Sequence, residues 1–287
     1  MDVVRIFNGL GNQMSQYAFY YAKKKRHPFR TCYITNLYDS ENVHNGYELE
    51  RLFGIRKNKL KEVILARFIK SHTSKFFGYK LFWHLSHLIE EPSNYDFKSE
   101  YKVPSRKLGF TFYWGGWHSE KYFAEYRDDL LKIFRFNEDM LNAPSKEWKE
   151  KLSRDPHSCS FHIRRGDFLK QKKWAEAITT DYYANAIAYM KAIDPEMQFY
   201  VFSNDVPYCK ETFGESGFHF IDCNSGLDSW QDMFLMSQCR HHINANSTFS
   251  WWGAWLCPYA DSVTIVPKAF ISTMQTKDIY PERWIKL

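Results

Sequence analysis

Two adjacent arginines, Arg164 and Arg165, follow an apolar run in the stretch CSFHIRRGDF (159–168), and a glycine and an aspartate follow them. Neighbouring cations repel, so such a pair belongs in open solvent or against something anionic. If 159–164 is a strand, alternate side chains take opposite faces. Cys159, Phe161 and Ile163 then share one face, Ser160, His162 and Arg164 share the other, and Arg165 points away from Arg164. A guanidinium is planar, permanently charged and able to grip a diphosphate with two hydrogen bonds, which suits Arg164. Arg165 suits a carboxylate that braces the loop. His162 reads equally well as a ligand contact and as a satisfied strand histidine. Asp167 is the single carboxylate of the motif, a candidate general base or else the partner of Arg165.

A second segment, NANSTFSWWGAW (244–255), places Ser247 and Thr248 where a helix would start. Both are good N-cap types. A helix N-terminus offers unpaired N–H groups and partial positive charge to an anion, so with Arg164 it makes a pyrophosphate site that needs no metal. Trp251, Trp252 and Trp255 read as packing residues. In FSND (202–205), Asp205 could accept two hydrogen bonds from a guanine edge, with Asn204 as the alternative; a helix cap before Pro207 is the plainer reading. No Asp-x-Asp triplet of the kind that holds a divalent metal in many nucleotide-sugar enzymes occurs in the chain. No cofactor or metal is expected.

These residues need a scaffold that brings distant loops together. DVVRIF (2–7) reads as a buried strand, NGLGNQ (8–13) as a glycine turn, QMSQYAFYYAKKKR as a helix and TCYIT (31–35) as the next strand, the opening of a Rossmann-like unit. Residues 56–89 mix Lys and Arg with Ile, Leu and Phe and read as a basic helical insertion, either solvated or lying on an anionic membrane. A strand and helix follow in 109–136. The polar stretch 137–158 holds the domain junction, giving domains 1–150 and 151–287. In the second, strands at 159–164, 198–203, 218–222, 241–246 and 262–267 alternate with helical stretches, which means a parallel α/β sheet. Ligands of such sheets bind at the carboxyl ends of the strands. RRGDF, NDVP, DCNSG and NSTFSWW all fall there.

Composition narrows the function classes. The chain has 287 residues, is 44% hydrophobic and 18% aromatic, and carries a net charge of +6. The charge suits an anionic substrate or membrane surface and falls short of a nucleic-acid binder. The six cysteines are scattered without zinc spacing, as thiols of a reducing compartment are. No run reaches the roughly 20 apolar residues of a membrane span, and MDVVRIFNGLGNQ has no apolar signal region. The expectation is a cytoplasmic protein, with peripheral contact at the inner face of the plasma membrane left open.

GLGNQM, HIRRGD, FSND and ANSTFSWWGAWL together resemble the α-1,2-fucosyltransferases of glycosyltransferase family eleven, over 3–22 and 159–267. Ser15 stands where an aromatic is expected, and Ser203-Asn204-Asp205 where two acidic residues are common. The resemblance implies a GT-B-like α/β fold of two Rossmann-type domains facing across a cleft. It implies inverting, metal-independent transfer from GDP-fucose to the 2-hydroxyl of a galactoside such as lactose, N-acetyllactosamine or a lipid-linked glycan precursor. By the same resemblance Arg164 holds the diphosphate, with His162 and Arg165 beside it. Asn246, Ser247, Thr248 and Phe249 belong to the donor site, as does Asp205 or Asn204 for guanine. Gly9, Gly11, Asn12 and Gln13 face the donor from the other domain. A non-catalytic glycan- or membrane-binding protein, or transfer to a different hydroxyl, is the competing reading.

Overall fold

The computed structural model describes residues 1–35, 44–57, 62–65, 85–105, 108–165, 172–179 and 181–287. They divide into two compact units, Met1–Phe136 and Asn137–Leu287. Among the described residues no helix is long and apolar enough to cross a membrane.

The first unit runs β1 (Asp2–Arg5), α1 (Leu10–Arg26), β2 (Thr31–Ile34), α2 (Leu49–Phe53), β3 (Ser86–Glu90), β4 (Phe110–Trp114) and α3 (Arg127–Ile133). Its strands are all parallel, in the order β2-β1-β4-β3. β1 is buried along its whole length, as an inner parallel strand covered on both faces must be. α1 packs Met14, Ala18 and Ala22 inward. Its last turn buries a lysine: Lys23 is 1% exposed and pairs with Asp2 of β1 at 2.9 Å. The ammonium also donates to the carbonyls of Tyr101 and Val103, both at 2.8 Å, and lies 4.2 Å from the Tyr113 ring centre. Three protons find three acceptors, which is what makes a buried lysine tolerable.

The expected helical insertion 56–89 is corrected at its end, where Ser86–Glu90 is the edge strand β3. Only Ser86 is fully buried there, so the segment lacks the apolar alternation that betrays a strand. Residues 58–61 and 66–84 of that stretch lie outside the described residues.

The second unit runs α4 (Ala143–Arg154), β5 (Ser158–Ile163), α5 (Lys172–Ala175), α6 (Tyr182–Ile193), β6 (Gln198–Ser203), α7 (Val206–Phe213), β7 (Phe218–Ile221), α8 (Trp230–Gln238), β8 (His241–Ile243), α9 (Thr248–Trp255), β9 (Thr264–Val266) and β10 (Ile285–Lys286). The polar stretch expected to hold the junction carries α4 instead, capped by Asn142, whose Oδ1 accepts from the Ser145 N–H at 2.8 Å. Pro144 sits in the first turn, where a missing N–H costs nothing. The Asn142 N–H donates to Gln231 of α8 at 2.9 Å, and its Nδ2 to Asn224 at 2.8 Å. Those bonds tie α4 to the second unit and move the boundary from 150 to 136.

All six strands are parallel, in the order β10-β9-β8-β5-β6-β7. The alternation expected in β5 is observed. Cys159, Phe161 and Ile163 pack with Tyr182, Ala186 and Met190 of α6. On the other face Ser160 Oγ lies 2.8 Å from His242 Nδ1. α9 approaches α8 closely at Gly253, where an added Cβ would fall 2.9 Å from Met236 Cβ.

Candidate functional site

The order of the second sheet has a switch point. The chain steps outward from β5 to β6 and β7, then returns to β8 on the other flank of β5. Ligands of parallel α/β sheets bind at the carboxyl ends of the strands at such a point. Arg164 and Arg165 follow β5, and Ser247 and Thr248 follow β8. The two segments meet through side chains: the His162 ring centre is 6.1 Å from that of Phe249, in the first turn of α9, with a 43° tilt.

His162 is only 5% exposed. Its Nδ1 is buried, with no hydrogen-bond partner among the described residues. Burial first, and the Arg164 charge second, push its pKa down to about 3. At neutral pH it is an uncharged imidazole with an unmatched polar edge, a state that costs free energy unless a ligand meets it. Arg164 itself is partly exposed. Ser247 caps α9, its Oγ accepting from the Phe249 N–H at 3.3 Å. Thr248 and Phe249 are also partly exposed. Trp251, Trp252 and Trp255 are buried packing residues, and the Trp251 Nε1–H donates to the Ile279 carbonyl at 2.8 Å.

Arg165 braces the loop. Its Nε donates to Asp205 Oδ2 at 3.0 Å, and its guanidinium lies 3.5 Å from the Tyr208 ring centre. Its backbone N–H donates to Asn204 Oδ1 at 2.9 Å. Asp205 Oδ1 caps α7 by accepting from the Tyr208 N–H at 3.3 Å. The two guanine-reading candidates thus clamp the β5 loop to the β6 loop, with Arg165 as the pin. The general-base candidate Asp167 lies outside the described residues.

Two amides expected at the donor hold the scaffold. Asn246 is fully buried, and its Nδ2 donates to the carbonyls of Trp174 and Phe270, both at 3.0 Å. It ties the loops after β5 and β9 to the start of α9. In the first unit Gln13 Nε2 donates to the carbonyls of Asn8 and Gly46, both at 2.6 Å, and its Oε1 accepts from the Glu48 N–H at 2.9 Å. An amide so engaged positions the loop and has no free N–H for a ligand. Gly9 precedes α1, whose N-terminus has no side-chain cap, and a Cβ there would come within 3.3 Å of the His44 ring. Gly11 lies buried in the first turn of α1, and its carbonyl accepts from Ser15 Oγ at 3.2 Å. Asn12, in the same turn, is partly exposed.

Two buried carboxylates, one in a helix first turn and one just past a strand, are not marked in the sequence. Asp232, in the first turn of α8, accepts from Asn224 Nδ2 at 2.7 Å, and burial raises its pKa to about 7. Glu91, just past β3, accepts from the N–H groups of Gly116 and Trp117, both at 2.7 Å, through Oε2. Its Oε1 is buried without a partner, and burial raises its pKa to about 7. For Glu91 the available signal was its place just after a strand; for Asp232 it was a lone acid in the first turn of an otherwise uncharged helix.

Two parallel α/β units in tandem, the second with an arginine and a helix start at its switch point, are an organisation that GT-B-like glycosyltransferases share. The sequence profile described as Glycosyl transferase family 11 matches residues 3–287, and the chain belongs to that family. It is 32% identical to an alpha-1,2-colitosyltransferase of Escherichia coli, over 99% of this chain and 98% of that one. It is 30% identical to the O-antigen biosynthesis glycosyltransferase WbnK of Escherichia coli, over 97% of this chain and 98% of the other. Galactoside alpha-(1,2)-fucosyltransferase 2 of Hylobates lar is 24% identical, over 99% of this chain and 78% of its own. In fold, a crystal structure of the alpha-1,6-fucosyltransferase NodZ soaked with GDP-fucose matches with a TM-score of 0.53 at 12% identity, covering 90% of this chain and 92% of that one.

Proposed function

We propose that this glycosyltransferase moves L-fucose from GDP-β-L-fucose to the 2-hydroxyl of a terminal β-galactoside, with inversion and without a metal. The observation that carries the reading is the strand order of the second sheet, which sets Arg164 and the start of α9 on adjacent strands β5 and β8. In a single displacement the acceptor oxygen bonds to the fucosyl anomeric carbon as the bond to the β-phosphate oxygen breaks. Negative charge gathers on the departing GDP. Arg164 and the N–H groups of α9 meet that charge most strongly in the transition state, which is where binding accelerates a reaction. The acceptor proton passes to a base, for which Asp167 is the candidate. His162, neutral and unmatched, gives one hydrogen bond to the donor. Arg165, Asn204 and Asp205 hold the loop that presents Arg164. With Asn204 and Asp205 engaged in that brace, Asp232 in the first turn of α8 is the reader of the guanine N–H groups.

A second donor is favoured by the colitosyltransferase relative at 32% identity. Colitose is L-fucose without its 3-hydroxyl, so the same diphosphate site would serve either. The test is a screen of labelled GDP-fucose and GDP-colitose against lactose, N-acetyllactosamine and other β-galactosides, with chelator present. An α-1,2-linked product with inverted anomeric configuration is expected. Transfer from GDP-colitose alone would reassign the donor, and binding of galactosides without turnover of either donor would favour the non-catalytic reading.

A further inference from the structure

The amino-terminal edge of the first sheet carries an apolar surface that the transfer reaction does not use. Among the described residues eleven large apolar side chains are exposed, and five of them gather here: Met1, Phe29, Leu85, Val103 and Leu108. Phe29 is 96% exposed and Leu108 83%. The parallel register forces them together. Asp2 of β1 stands beside Thr31 of β2 and Thr111 of β4, and Ser86 of β3 beside Phe110 of β4. Residues just before the four strands therefore leave the sheet on one side. The Met1 ammonium donates to the Gly109 carbonyl, and the buried Lys23 holds the Val103 carbonyl against the same edge. Scattered exposed apolar residues need no explanation, but several on one edge do.

Cations surround them. Lys24 and Arg30 are exposed, and among the described residues their side chains donate to the carbonyls of Pro28 and Ser105. Lys102 sits in the same loop as Val103, where Glu100 is the exposed acid. The nearby Asp2 is buried and neutralised by Lys23. Apolar tips ringed by lysine and arginine complement a bilayer interface with anionic headgroups.

We infer that this edge docks on an anionic phospholipid surface, with Phe29, Val103 and Leu108 entering the headgroup–acyl boundary and Lys24, Arg30 and Lys102 facing the headgroups. The proposal is independent of the sugar and linkage transferred. Its test is co-sedimentation of the full chain with phosphatidylcholine vesicles made with or without phosphatidylglycerol. Binding is expected only with the anionic lipid, and weaker at high salt. Phe29→Ser with Leu108→Ser lowers partitioning at least about tenfold. Lys24→Gln with Arg30→Gln lowers it on the order of five-fold per charge removed. Both pairs are surface changes, so the melting temperature and turnover of a soluble galactoside stay as in the wild type. Wild-type protein that ignores anionic vesicles, or a double serine variant that binds them equally well, overturns the proposal. So does a dimer in solution that the serine variant dissociates, because the apolar edge would then cover a second copy.

Discussion

Arg165 braces its loop by pairing with a carboxylate. Its place beside the strand end suggested such a partner, but which carboxylate was not legible in the sequence. Asp205 stands forty positions along the chain, and only the β5–β6 pairing brings it within 3.0 Å. A carboxylate read as a base-reading group is thereby the brace of a loop. With both side chains partly exposed, the pair is worth on the order of 1 kcal/mol. A double-mutant cycle with Arg165→Met and Asp205→Asn, read by GDP affinity, should be non-additive, the second change costing little once the first is made. Full additivity would separate the two residues. Buried polar atoms are the least legible feature at this scale. Nothing local in the sequence says that His162 Nδ1 lacks a partner while Asn246 Nδ2 has two.

Elements were read from their periodicity where one face is buried. β5, α6, β6 and α9 fall within a residue or two of expectation, because an apolar pattern and a cap mark each. β3 was missed because an edge strand with one fully buried residue shows little alternation. α4 was missed because its polar surface resembles a linker. α1 hides its anchor in a run of four basic residues, Lys23 to Arg26, only one of which is buried. Lys23→Met leaves Asp2 buried and uncompensated, and should destabilise the protein by about 3–5 kcal/mol. Chemical denaturation of that variant measures it directly. Lys24→Met, on the exposed side of the same helix, should change stability by less than about 0.5 kcal/mol.

At the scale of the whole molecule, buried titratable groups set two opposing pH trends. Burial raises Glu91 and Asp232 from 4.5 and 3.8 to about 7. Each adds stability while protonated, and loses it as pH rises from about 4 to about 7. Burial lowers His118, His162 and His242 from 6.5 to about 3. Their contribution is present above pH 6.5 and is lost as pH falls towards 3. Glu91→Gln should therefore stabilise the protein by on the order of 2 kcal/mol at pH 8 and have little effect at pH 4, a contrast that paired melting curves resolve. The two-unit α/β organisation was legible from alternating strands and helices, and the family from four short motifs. The strand order was not, since pairing between distant segments leaves no local mark, yet it is what brings β5 and β8 side by side. That arrangement is tested most directly by turnover of GDP-fucose with a β-galactoside, in chelator, by wild-type protein and Arg164→Ala. The account predicts an α-1,2 product from the wild type and a loss on the order of 10²–10³ in the variant. Near-normal turnover by Arg164→Ala would contradict it.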